Sequence, residues 1–275
     1  MKKISFILLF SISLVGIFLI LHQAYLTDKE NNTSLIFAKM PPNLSSQISP
    51  NEIFVSPAVP ILMYHHVQDY PYGKDLSSVS IFVSPATFEA QLNWLASNDF
   101  QTVDLSYFKN PTRLSGKPII LTFDDGYQDA YDQVFPMLKK YGFRATFYPI
   151  VNNIDKAGFL TSDEIMEMQN NSMTFGSHSL SHPNLTEISE QQAQQEIYAS
   201  KKILEQITGK EVSDFCYPGG KLDQTAINIV ANSGYSTATT TSNKINLGKT
   251  DLLQLNRLDI ENETRFENLP ALKNL

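Results

Sequence analysis

The chain has one cysteine, Cys216, in 275 residues. No disulfide can form within it, which says nothing against export, since many exported bacterial-type proteins avoid cysteine. Basic residues are in the minority, with 21 Lys and Arg against 28 Asp and Glu and a formal net charge of −7. That balance argues against a nucleic-acid partner, because phosphate binding depends on clustered Lys and Arg. It leaves a neutral or partly cationic polysaccharide open as a partner. There is no short-period repeat and no low-complexity tract. Histidine is scarce, with five in all.

Long apolar runs are scarce too. The one that stands out covers residues 4–21, broken only by Ser11, Ser13 and Gly16 and preceded by Lys2 and Lys3. Its length of roughly 18 residues is enough to span a bilayer. It reads as a signal peptide or a signal anchor. No small-x-small cleavage site is obvious, since His22 lies two positions before Ala24. An uncleaved anchor with Lys2 and Lys3 on the cytoplasmic side is therefore favoured. Either form puts the rest of the chain outside the cytoplasm. Residues 25–58, rich in Asn, Ser and Pro, read as a linker.

From Val59 onward short β-branched runs alternate with longer amphipathic ones. PILMY (60–64), FQTV, KPIILTF, ATFYPIV, MTFGS, DFCYP and STATT are strand candidates. Helices are predicted over 85–97, 128–141, 161–170, 189–207 and 223–232, the first with Ser84 as N-cap and Pro85 in its first turn. Alternation of this kind predicts parallel βαβ units in one α/β domain over 59–275. About seven units fit, which favours barrel-like closure over an open sheet.

In a parallel barrel the chemistry collects at the carboxyl ends of the strands. Asp124 and Asp125 end KPIILTF, His178 ends MTFGS, Tyr217 ends DFCYP, and His65 and His66 end PILMY. Two adjacent carboxylates disfavour joint ionisation, so something must offset them. His178 and His182, four apart, place two imidazoles on one side of a turn. With one carboxylate they make a 2-His-1-carboxylate site with positions left open for water and substrate. Zn²⁺ is the leading ion, and the donor set also admits Fe²⁺, Co²⁺ or Ni²⁺. If Asp125 binds the cation, Asp124 is left free to accept a proton, and Gly126 permits the sharp turn this needs.

Blander readings exist for each residue. Asp124 and Asp125 alone fit a helix N-cap. His178 and His182 alone fit an ordinary loop, and His66 is either a structural histidine or one that supports the site from behind. Cys216 reads as strand packing, and Trp94, inside an amphipathic helix, as core.

TFDDG (122–126), then HSLSHP (178–183), then YPG (217–219) resemble the polysaccharide deacetylase family, carbohydrate esterase family 4, with its NodB-homology domain. The resemblance covers roughly residues 58–265. It implies a distorted (β/α)7 barrel and metal-assisted hydrolysis of N-acetyl groups on a polysaccharide. By position, Asp124 resembles the general base, and Asp125, His178 and His182 the metal ligands. Tyr217 resembles the residue whose backbone N–H helps hold the oxyanion. Two departures stand out. Many members carry an Arg before the Tyr-Pro element, whereas SDFCYPGG (213–220) has none. Many supply a general-acid His near the C-terminus, whereas no histidine follows His182. MYHHV (63–67) offers a replacement. The chain is similar to the branch acting on poly-β-1,6-N-acetylglucosamine, in which the motif order is permuted and the acid His sits on the first strand. Tyr64-His65 matches that segment, and FEAQLNWLASNDFQTVDL (88–105) also looks like that branch. Arg257, in LNRLDI, is the candidate to replace the missing Arg by pairing with Asp124.

Overall fold

The computed structural model describes residues 53–71 and 80–273. The expected membrane segment and most of the expected linker lie outside those residues. Among the described residues, no helix is long and apolar enough to cross a membrane.

In chain order the elements are β1 (Ile53–Val59), β2 (Ile61–Tyr64), β3 (His66–Val67), β4 (Phe82–Val83), α1 (Pro85–Ser97), β5 (Phe100–Thr102) and β6 (Lys117–Asp125). A π-helical turn (Ala130–Val134) runs into α2 (Phe135–Tyr141). Then come β7 (Thr146–Pro149), α3 (Ser162–Asn170), β8 (Thr174–Phe175), α4 (Glu190–Thr208), β9 (Asp214–Cys216) and α5 (Gln224–Asn232). The chain closes with β10 (Thr237–Asn243), β11 (Asn246–Asp251), β12 (Leu255–Asp259) and α6 (Pro270–Lys273).

Local sequence explains the helix starts. The Ser84 hydroxyl accepts from the Thr87 amide, and Pro85, which has no N–H to lose, follows it. Thr161 with Glu164, and Ser189 with Gln192, form capping boxes on α3 and α4. The helix predicted over 128–141 is interrupted instead. Pro136 cannot donate into an α-helical ladder, and the turn before it widens, with Phe135 N–H reaching back to Ala130.

Seven strands run side by side in the order β8-β7-β6-β2-β12-β10-β9, all paired in parallel. A parallel bridge between Ser177 and Phe215 joins the two ends. The result is a nearly closed (β/α)7-type barrel, as expected. Its membership differs from the expectation at one stave. FQTV forms β5, which pairs only with the first residues of β6. The seventh stave is β12, whose buried arginine hides it from a search for apolar runs. The fold also reaches back into the expected linker, because β1 pairs antiparallel with β11.

Strand alternation sorts the two faces. Tyr64, Phe123, Phe147 and Phe175 lie in register on four neighbouring strands. Their rings stack at centroid spacings of 5.1, 5.0 and 5.6 Å. Phe88 of α1 meets the first two edge-on, so this ladder faces the helices. Each such pair adds about 0.5–1.5 kcal/mol beyond burial. The residues between them, Thr122 and Asp124, therefore face the barrel interior. Ile61, Ile120 and Leu255 fill that interior at the amino end of the staves. The carboxyl end is polar.

Candidate active site

Asp124 is buried on the inner face of β6, and Arg257 reaches it from β12. The guanidinium grips the carboxylate with both arms, Nη1 to Oδ1 and Nη2 to Oδ2, each at 2.7 Å. Its remaining donors reach the Thr240 carbonyl at 2.9 Å, the Thr122 hydroxyl at 3.1 Å and Cys216 Sγ at 3.2 Å. Burial alone would raise the Asp124 carboxyl. The charge and paired hydrogen bonds of Arg257 outweigh it and hold the group well below the usual carboxylate range. The pairing expected from sequence is present, and it accounts for half of the two-carboxylate problem.

Asp125 solves the other half by turning away. Its φ is 69°, in the left-handed region, and Gly126 follows at 76°. A side chain at Gly126 would place its Cβ 2.7 Å from Pro149 Cβ and 2.8 Å from Pro149 Cα, so only glycine fits. The Asp125 carboxylate then points toward the histidine loop. Asp125 Oδ1 lies 3.6 Å from His178 Nε2 and 3.9 Å from His182 Nε2. One ligand atom from each of the three residues falls within 4.8 Å of the others.

The two imidazoles are held by different means. His178 Nδ1 donates to the Cys216 carbonyl at 2.8 Å, so the lone pair of Nε2 is turned toward Asp125. His182 has a positive φ of 63°, and its amide donates to Ser179 Oγ at 2.9 Å. Burial, and then the neighbouring His178, pull the His182 pKa down despite Asp125, which favours the neutral, ligating form. Glu196 of α4 fastens the loop by accepting from the amides of Leu180 and Ser181 and from the Ser181 hydroxyl, at 2.9, 2.8 and 2.6 Å. Two nitrogens and one carboxylate oxygen converging in this way fit a divalent cation. Asp124, His178 and Cys216 also lie close together. Arg257 already neutralises Asp124, so that second trio is a poor cation site.

His65 continues the alternation of β2 into the barrel mouth. Its Nε2 is 3.9 Å from Asp124 Oδ2. His66 points elsewhere, to Asp129 at 3.1 Å. Tyr217 departs from expectation. Its amide donates to the Thr239 carbonyl at 3.1 Å across the β9–β10 pair. That donor is consumed by the sheet and is not free to hold an oxyanion. Its ring packs edge-on against Phe215, on the opposite face from the site.

Three residues at the site escaped the sequence reading. Cys216, not Tyr217, carries the inward side chain of its segment and the carbonyl that orients His178. Glu196 secures the histidine loop from a helix. Asp259 lies two residues beyond Arg257, on the same face of β12, and its charge interacts with His65. Inward and outward alternation along LNRLDI was the available signal for it.

Similarity to known proteins agrees with this geometry. The family model for polysaccharide deacetylase matches residues 112–238. YxkH of Bacillus subtilis (strain 168), named as a candidate polysaccharide deacetylase, is 33% identical over 190 residues, covering 66% of this chain and 64% of that protein. The poly-beta-1,6-N-acetyl-D-glucosamine N-deacetylase of Staphylococcus aureus (strain MRSA252) is 26% identical over 179 residues, covering 59% and 61%. The solved structure of BC0361, a polysaccharide deacetylase from Bacillus cereus, superposes with a TM-score of 0.69 at 33% identity, covering 77% of this chain and 67% of that one. The chain belongs to the polysaccharide deacetylase family. It spans just under two thirds of the length of the two curated relatives.

Proposed function

We propose that this protein hydrolyses N-acetyl groups from an extracytoplasmic N-acetylglucosamine polymer, with poly-β-1,6-N-acetylglucosamine as the favoured substrate. The observation that carries the reading is the pairing of two sites in one barrel mouth. Asp125, His178 and His182 form one, and Asp124 with His65 the other, 3.9 Å apart. Asp124, ionised by Arg257, is a weak base, so the proton it takes must come from water made more acidic than bulk, which is what a divalent cation at Asp125, His178 and His182 would supply. Arg257 occupies two of the carboxylate's lone-pair directions and leaves others to accept. His65 is placed to give a proton to the departing sugar nitrogen, since an unprotonated amine leaves poorly. Water and the amide become acetate and a free amine.

Several features support the β-1,6 choice. The chain lacks a histidine beyond His182, His65 lies beside Asp124, and the named Staphylococcus aureus relative acts on that polymer. Residues 4–21 support attachment to a membrane. Fractionation of cells expressing the full chain tests this, and recovery in the cytoplasmic fraction would refute it.

The test of activity is acetate release by the purified full chain, stripped of metal and then restored with Zn²⁺, on β-1,6- and β-1,4-linked N-acetylglucosamine oligomers. Zinc-dependent release from the β-1,6 oligomer alone is expected. Release only from β-1,4 chains moves the substrate to chitin or peptidoglycan. No release from either, with metal bound, refutes the reading and leaves acetyl-xylan or catalytically idle glycan binding.

A further inference from the structure

We propose that Glu196, on α4, is a positioning residue for the metal ligands. It holds the turn between His178 and His182 in the shape that lets both imidazoles face Asp125. The inference rests on the metal-site reading above. That turn does not keep its own shape. Ser179 and His182 both lie in the left-handed region, at φ 65° and 63°. A residue with a side chain keeps that conformation only when its surroundings impose it. Leu180 and Ser181 sit between the two, past the end of β8 and its ladder. Leu180 is buried, and a buried amide needs an acceptor. The turn must take one from elsewhere in the fold.

Glu196 supplies it. Its Oε2 accepts from the Leu180 and Ser181 amides at 2.9 and 2.8 Å, and its Oε1 from the Ser181 hydroxyl at 2.6 Å. Ser200, one helical turn further along α4, gives a second fixing point. It accepts from the Ser177 hydroxyl at 2.7 Å. Ser177 Oγ accepts from the Ser179 amide at 3.2 Å, and Ser179 Oγ from the His182 amide at 2.9 Å. A chain of hydrogen bonds thus runs from α4 to the second imidazole's backbone. The carbonyl side of the turn is fixed separately. Ser179 and Leu180 accept there from the Val151 and Asn152 amides, at 3.1 and 2.9 Å. The serines of GSHSLSH therefore fasten the turn, while His178 and His182 between them face Asp125. The support behind them is firm. α4 runs for 19 residues, starts in a capping box, ends on Gly209 and buries Ala193, Ile197 and Leu204. Three bonds from one carboxylate on that helix set the turn, and the ligand atoms follow it.

Zinc affinity, measured on the full chain by competition with a colorimetric chelator, tests this. Glu196→Asp keeps the charge but withdraws it by one methylene. Glu196→Gln loses the charge but keeps the reach. Its amide oxygen can accept from both backbone N–H groups, and its NH₂ can donate to the Ser181 hydroxyl. Outer groups that orient metal ligands typically contribute about 10–100-fold in affinity. Glu196→Asp and Glu196→Ala are expected to bind Zn²⁺ at least about 10-fold more weakly than wild type. Glu196→Gln is expected to bind nearly as tightly as wild type. A weak Glu196→Gln overturns the proposal, because the carboxylate then acts through its charge. Wild-type affinity in Glu196→Asp overturns it too, because the reach of the side chain then does not matter to the metal. If Glu196→Ala does not fold without metal, the Asp and Gln variants decide alone. Asp125→Ala is the control. If it loses zinc while Glu196→Asp binds like wild type, the positioning role is wrong and the metal site stands. If Asp125→Ala binds zinc like wild type, the metal reading fails and this proposal with it.

Discussion

Replacing Arg257 with methionine tests the centre of the site most directly. Arg257 is fully buried and Asp124 nearly so, joined by two hydrogen bonds of 2.7 Å. Methionine fills much of the volume and leaves the Asp124 charge buried without its partner. Breaking a buried pair from one side costs about 3–5 kcal/mol. Surface pairs are worth less than about 1 kcal/mol, so the two cases are easily told apart. The pH dependence carries a sign. In the wild type the Asp124 pKa is depressed by Arg257, so the pair's stabilisation is present above the ordinary carboxylate range and is lost as pH falls. In Arg257→Met burial raises the Asp124 pKa, opposed only by the weaker pull of His178 and His65, and protonation at low pH relieves the buried charge. The stability gap between the two proteins should therefore narrow on acidification from pH 7 toward pH 4. Urea unfolding at several pH values measures it. The double variant Asp124→Asn/Arg257→Met should recover at least half of the loss, because no lone charge is then left inside. A loss under about 1 kcal/mol at pH 7, or strict additivity in the double variant, would refute the buried pair as the organising interaction.

Three further outcomes follow from the same geometry. Asp124→Asn should abolish acetate release while metal stays bound, by elemental analysis; loss of metal would mean the roles of the two aspartates are reversed. At saturating zinc, His65→Ala should lower the rate more than His66→Ala, because His65 alone of the two faces Asp124; wild-type rates in both would end the assignment of His65 as acid. Asp214, buried beneath the site, has its pKa pushed up to about 6, mainly by burial and against the Thr237 hydrogen bond. Its folded pKa exceeds the unfolded one, so its contribution is favourable below about pH 4 and is lost as pH rises through 6, a swing of roughly 3 kcal/mol. Between pH 4 and pH 8, Asp214→Asn should lose less stability than wild type in thermal melts, and equal pH profiles would contradict it.

The barrel was legible in the sequence because most staves obey the simple rule that a parallel strand buried on both faces reads as a short apolar run. PILMY and KPIILTF follow it, and both became staves. FQTV alternates instead, with Gln101 exposed between buried Phe100 and Thr102, and it pairs only at the foot of β6. LNRLD breaks the rule and is a stave all the same. A strand facing a polar barrel interior must carry its charged residue inward, so the one stave whose centre pairs with the Asp124 carboxylate is the one an apolar search discards. The site shows the same division. TFDDG and HSLSHP were readable as a converging carboxylate and imidazole pair because that spacing is written locally. The oxyanion donor assigned to Tyr217 was not, since whether an amide is free depends on strand pairing with Thr239, 22 residues away in sequence. Positions along the chain that conflict with local propensity, namely Arg257 in a strand and Asp125 at positive φ, are therefore where the candidate site concentrates, because each is held by partners from other staves rather than by its own neighbours.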